Sequence, residues 1–139
     1  MNVTNIPFVK HVGIDHKDAD TLQLDAKQSV QNHIQSIHAS AQFTLAETQS
    51  GLYLQELFPE YVGKVVGVLR GSTVKYKAPA MTRIIAKATL SQEAKEKFVI
   101  QLERKGRATL AIDVLVLDDK GTITMQGVFT WFVQKLDLS

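Results

Sequence analysis

The chain is expected to fold as an α+β domain in which one long central helix is wrapped by a five- to six-stranded antiparallel sheet. Three observations lead there. A single run, Ala39 to Leu57, is rich in helix formers, holds no proline and has Pro59 just beyond its end. Nearly everything after Tyr61 alternates, or runs apolar, over lengths suited to strands. The helical run is small or apolar on more than one face, which suits a helix covered by other elements. Strands, one helix and then more strands, without strand–helix alternation, is the α+β pattern.

At 139 residues the sequence fits one domain, 1–139. That length can bury a substantial core. The elements follow in order. Phe8 to Ala26 reads as two short strands around the polar stretch Asp15 to Asp20. Lys27 to Ser36 is polar and reads as loop. In the helical run, Phe43, Ala46, Ser50, Leu54 and Leu57 recur at three- and four-residue steps, while Leu45 and Leu52 lie on another face.

Val62 to Leu69 reads as strand and leads into Ser72 to Lys77, and the run ends at Pro79. Gly63, Gly67 and Gly71 within it suggest bulges or bends. From Arg83 to Leu90, Ile84, Ala86, Ala88 and Leu90 face one way, and the inward alanines leave room for a helix. Lys97 to Arg104 is expected to be a strand with Phe98, Ile100 and Leu102 inward, followed by a tight connection at Lys105-Gly106-Arg107. Ala108 to Leu117 is apolar enough for a central strand. Asp118-Asp119-Lys120-Gly121 is a strong turn signal. Thr122 to Val133 completes the sheet.

Composition excludes several chemistries. The absence of cysteine removes disulfides, thiolate metal sites and cysteine nucleophiles. Four histidines without HxH or HExxH spacing give no metal site. A phosphate-cradling glycine loop and a serine nucleophile elbow are both absent. No cofactor is expected. The first residues show no basic region followed by an apolar run, and Ala108 to Leu117 is too short to span a bilayer. A cytoplasmic protein without membrane partners is expected.

Charge is uneven. From Met1 to Gly63 three basic side chains stand against seven acidic, from Lys64 to Arg107 eleven against three, and from Ala108 to Ser139 two against four. A basic middle suits an anionic partner, although a solvated strand face explains it equally well. Aromatic residues do not interleave with the basic ones along the strands, so nucleic acid is not the expected partner.

The residues that point to chemistry cluster before and within the helix. Asn32 and His38 precede it, and Glu47 lies more than two turns inside, among Phe43, Leu45, Ala46 and Gly51. A carboxyl group in such surroundings loses solvation, and its pKa should rise, as a general base or nucleophile requires. The free N–H groups of Ala39 and Ser40 at the helix start could donate to a developing oxyanion.

Asn32, His38 and Glu47, at this spacing and leading into a small-residue helix, resemble the motif of hotdog-fold acyl-CoA thioesterases of the phenylacetic-acid-pathway type. Phe43 to Gly51 resembles the helix of that family, Val74 to Ala80 its strand-then-proline segment, and Lys105-Gly106-Arg107 with the Asp-Asp-Lys-Gly turn its last strands. The likeness covers nearly the whole chain and is closest to an uncharacterised thioesterase-like branch.

The resemblance implies hydrolysis of an acyl-CoA thioester to free acid and CoA. Glu47 would activate water or attack the carbonyl, the Ala39 N–H would polarise that carbonyl, Asn32 would position Glu47 or the water, and His38 would shape the loop. It further implies a homo-oligomer, a dimer or a dimer of dimers, whose sites use partner strand residues, with Ser72 and Thr73 as candidates. Lys75, Lys105 and Arg107 are the candidates for holding CoA phosphates, together with Lys77, Arg83 and Lys87.

The sequence departs from that family in carrying Ala39-Ser40 where it has Gly-Gly. If that position needs a positive φ, alanine is strained there. A non-catalytic module binding acyl-CoA or lipid is therefore the alternative. Hydratase or dehydratase chemistry is a lesser one: His33 lies fourteen residues before Glu47, but the Phe-Pro-Gly and Pro-Gly elements of that chemistry are missing.

Overall fold

The computed structural model of the chain describes residues 1–137. Proline and glycine punctuate its first segment. Pro7 occupies the first helical turn and Gly13 closes it with φ 94°, so Pro7–Val12 is a short helix, α1. The sequence reading placed a strand there. Six residues are too few for a helical period to show, and the fixed φ of proline followed by a left-handed glycine is the better signal.

Two short strands, β1 (Asp15–His16) and β2 (Leu22–Leu24), form a hairpin. The long helix α2 spans Ala39–Leu57, as its sequence demands. It is followed by β3 (Val65–Tyr76) and β4 (Ile84–Thr89).

Next comes α3, Gln92–Lys105, where a strand was expected. Phe98, Ile100 and Leu102 fit a period of two, but Phe98 and Leu102 also fit a helical step of four. The structure takes the second solution: Phe98 and Leu102 are buried and Ile100 is 52% exposed. The caps decide it. The Ser91 side chain accepts from the Ala94 N–H at 3.1 Å, and Gly106 ends the helix with φ 73°. Glu93 and Lys97 pair one turn apart on the wet face.

The strands β5 (Arg107–Leu117) and β6 (Ile123–Lys135) complete a six-stranded antiparallel sheet of order β1-β2-β4-β5-β6-β3. Burial alternates along β5: Ala108, Leu110, Ile112, Val114 and Val116 face the core, and the residues between them face out. β3 is an edge strand paired only with β6, with a bulge between Leu69 and Gly71.

The inner face of the sheet wraps α2, which packs on β2, β4, β5 and β6. Leu45 and Ala46 are wholly buried there. Truncating Leu45 to alanine would cost about 2–5 kcal/mol. α2 also buries two glutamines, each with a partner, as buried amides require. Gln42 accepts from Thr124 Oγ1 at 2.8 Å, and Gln49 both accepts from the Leu22 N–H and donates to the Asp20 carbonyl, each at 2.8 Å. Seven residues apart, the two glutamines share one side of the helix and tie it to β6 and to the hairpin. No helix among the described residues is long and apolar enough to cross a membrane.

Candidate active site

The segment before α2 is held by its own hydrogen bonds. The Asn32 side-chain oxygen accepts from the Ile34 and Ser36 N–H groups at 3.0 and 3.1 Å, and its amide nitrogen donates to Ser36 Oγ at 2.8 Å. Asn32 therefore spends its amide on its own turn. Glu47 is not among its partners. Gln35 in that turn has φ 59°, the only positive φ outside glycine among the described residues.

Backbone bonds then fix the start of the helix. The Ile37 N–H donates to the Ala80 carbonyl and the His38 N–H to the Val30 carbonyl, both at 2.8 Å. His38 is the N-cap, and its Nδ1 accepts from the Ser40 N–H at 3.0 Å. This ties up one of the two expected oxyanion donors. Among the described residues no acceptor meets the Ala39 N–H, and Ala39 is exposed. Ala39 begins the helix without a positive φ, so alanine is unstrained at this position. The Tyr76 hydroxyl donates to the Ala39 carbonyl at 3.1 Å and joins the end of β3 to this helix start.

Glu47 lies two turns further on, half-buried, with burial raising its carboxyl pKa. No donor or cation among the described residues reaches its side-chain oxygens. It stands on the wall of a cavity of about 350 Å³ between α2, β3, β6 and the N-terminal segment. Most of that wall is apolar, including Val3, Val9, Leu54, Phe58 and Trp131. The Trp131 indole N–H donates to Ser50 Oγ at 2.8 Å, which fixes the ring beneath Gly51 and Gly67. A second cavity, also about 350 Å³, lies at the start of α2 and includes His11, Gln31, His38 and Ser40. Phe8 and Thr44 border both.

The expected substrate-binding residues do not converge within one chain. Ser72 is in register with buried Phe129, so it lies on the inner face, whereas Thr73 and Lys75 lie on the outer face. Lys105 and Arg107 flank Gly106 at the other end of the sheet. Arg107 is in register with Gln134 and so with Val66, nine residues before Lys75, which separates the two basic positions by about 30 Å. The basic middle of the sequence is thus spread over the sheet.

Sequence reasoning missed the part played by the first nine residues, of which Met1, Val3, Ile6, Phe8 and Val9 line the Glu47 cavity. Their alternating burial follows no single period, and only the positions of Pro7 and Gly13 offered a signal.

The sequence model of the family described as "Domain of unknown function (DUF4442)" matches residues 4–133. No curated protein matches. Among solved structures, a Pseudomonas aeruginosa protein named as a "Probable Thioesterase" is 21% identical with a TM-score of 0.80, over 96% of this chain and 91% of that one. A Bacillus halodurans protein solved with CoA is 20% identical with a TM-score of 0.70, over 91% and 74%. A mutant of the phenylacetic acid degradation protein PaaI from Thermus thermophilus is 17% identical with a TM-score of 0.63, over 91% and 97%. At these identities the likeness establishes the fold alone, which is the hotdog fold. The chain belongs to the DUF4442 family.

Proposed function

We propose that this DUF4442 protein hydrolyses an acyl-CoA thioester to a free acid and CoA, with Glu47 acting at the thioester carbonyl. One observation carries the reading: a half-buried carboxyl group, raised in pKa by burial and free of partners among the described residues, on the wall of an apolar cavity. The thioesterase and CoA-bound relatives support it.

Glu47 would act in one of two ways. As a general base it takes a proton from a water whose oxygen bonds to the carbonyl carbon. The C–S bond then breaks, and the CoA thiolate leaves and is protonated. As a nucleophile its oxygen attacks the carbon first, expelling the thiolate, and water cleaves the resulting anhydride. The Ala39 N–H would stabilise the negative carbonyl oxygen, a contribution of roughly 10²–10³ in rate.

Ala39 and Glu47 stand eight residues apart on one helix, about 12 Å along its axis. They cannot engage one carbonyl from the same chain. A site that uses both therefore takes one from a second copy. The long unpaired edge of β3 suits such an association. Asn32 and His38 would serve by holding the turn and the cap that present the Ala39 N–H.

A binding module without turnover is the second reading. It is favoured by the Ser40 N–H being already bonded to His38, which leaves a single free donor. Thiol release from a panel of short, long and aryl acyl-CoAs separates the two. Turnover that falls about 10²-fold or more in Glu47→Gln supports the hydrolase. Thermal stabilisation by acyl-CoA without any thiol release supports the module.

A further inference from the structure

The cavity beside Glu47 has a direction. Its floor follows α2 from Thr44 through Glu47, Gly51 and Leu54 to Phe58. From Glu47 to Phe58 is eleven residues of helix, about 16 Å. Two buried aromatic rings, Phe58 and Phe98, with centroids 4.9 Å apart, line the far end. The near end adjoins the second, more polar cavity across Phe8 and Thr44. The carboxyl group thus stands near the junction of an apolar channel and a more polar one.

Two glycines set the bore of the channel. A Cβ at Gly51 would meet the Trp131 ring at 3.4 Å, and one at Gly67 would meet the Trp131 ring, Val133 and Leu54 at 3.6 to 3.9 Å. Neither glycine has a positive φ, so the backbone does not require them. What their missing side chains leave is room for about one methyl group each against the indole.

Resting on the thioester-hydrolase reading of Glu47, we infer that this channel holds a straight aliphatic acyl chain of medium length, with Gly67 setting its width and Phe98, packed against Phe58, ending it. Its volume of about 350 Å³ corresponds to roughly a dozen groups of water size. Its length matches an extended chain of that order. The pantetheine side of the thioester leaves through the more polar cavity at the start of α2.

The test separates binding from turnover. Trp131 is the only tryptophan of the chain and lines the channel, so its fluorescence reports occupancy. Non-hydrolysable thioether analogues of CoA, bearing acetyl, butyryl, octanoyl, decanoyl and palmitoyl-length chains, are titrated into the intact protein. Affinity is expected to rise about threefold to fourfold per methylene up to decanoyl length and to level or fall at palmitoyl, with the Trp131 emission shifting throughout. Gly67→Val is expected to move the optimum to shorter chains, and Phe98→Leu, which keeps the stop apolar, to longer ones. Opposite shifts are not what two merely destabilised variants would give. An affinity independent of chain length, an unchanged Trp131 emission, or variants that move the optimum together would overturn the inference. Should the length series hold while natural acyl-CoAs release no thiol, the channel stands and the hydrolase reading falls.

Discussion

Two glutamates on α2 make an instructive pair. Glu47 and Glu56 both carry a carboxyl pKa raised first of all by burial. Around Glu47 burial is the whole cause, because that side chain faces apolar walls and a cavity. Glu56, near the other end of the helix, meets the β1–β2 hairpin. There burial is joined by a hydrogen bond shared with Asp20 and by the charges of Asp20 and Asp18, and its pKa is pushed up to about 7. A raised pKa alone does not mark a reacting group. It marks a candidate only where space for a substrate lies against it, and of these two only Glu47 lines a cavity.

The sharpest way to break this comparison is turnover. Glu47→Gln is expected to lower thiol release about 10²- to 10⁴-fold, whereas Glu56→Gln should change it less than about twofold, since Glu56 lies outside the cavity. Comparable losses in both, measured as kcat/KM, would remove the distinction.

Stability gives the next effect. Gln49 fastens the hairpin that carries Asp20 to α2 through two buried hydrogen bonds. Gln49→Ala should cost about 1–3 kcal/mol in urea unfolding by stranding the Leu22 N–H. Loosening the hairpin should also lower the Glu56 pKa, readable by NMR titration, while leaving that of Glu47 in place.

The smallest effect is the dependence of stability on pH. A carboxyl group with a raised folded-state pKa holds its proton more tightly when folded. Its favourable contribution is complete below the ordinary carboxylate pKa and is lost as pH rises, for Glu56 up to about 7. Glu56→Gln should therefore flatten the decline of Tm between pH 5 and 7. Glu47→Gln should likewise raise Tm at neutral pH relative to acid. A decline as steep in Glu56→Gln as in the wild type would show that its carboxyl group is not the one held protonated.

The parts that were legible in the sequence are those with a single dominant period. α2 was read to its ends because Ala39 to Leu57 offers no competing pattern and Pro59 stops it. The strands β5 and β6 were legible from apolar content and the turn at 118–121. α3 was not, because its few apolar residues among charges satisfy two periods, and only Ser91 and Gly106 break the tie. In the candidate site, the rise in the Glu47 pKa was legible from its neighbours. The cavity was not, since its walls join both ends of the chain to α2 and β3, and no local pattern shows that Val3 and Trp131 will line one space. Nor was it visible that Lys75 and Arg107, close in composition terms, end up at opposite ends of the sheet.

The strand order carries a consequence for synthesis. β3 is finished at Tyr76, yet its only partner in the sheet, β6, begins at Ile123. At about 5–20 residues per second, translation leaves roughly 2–9 s in which a twelve-residue strand has been made and has nothing to pair with. During that interval both of its edges are open to any neighbouring nascent chain. The closing of the domain therefore waits on the last strand to leave the ribosome.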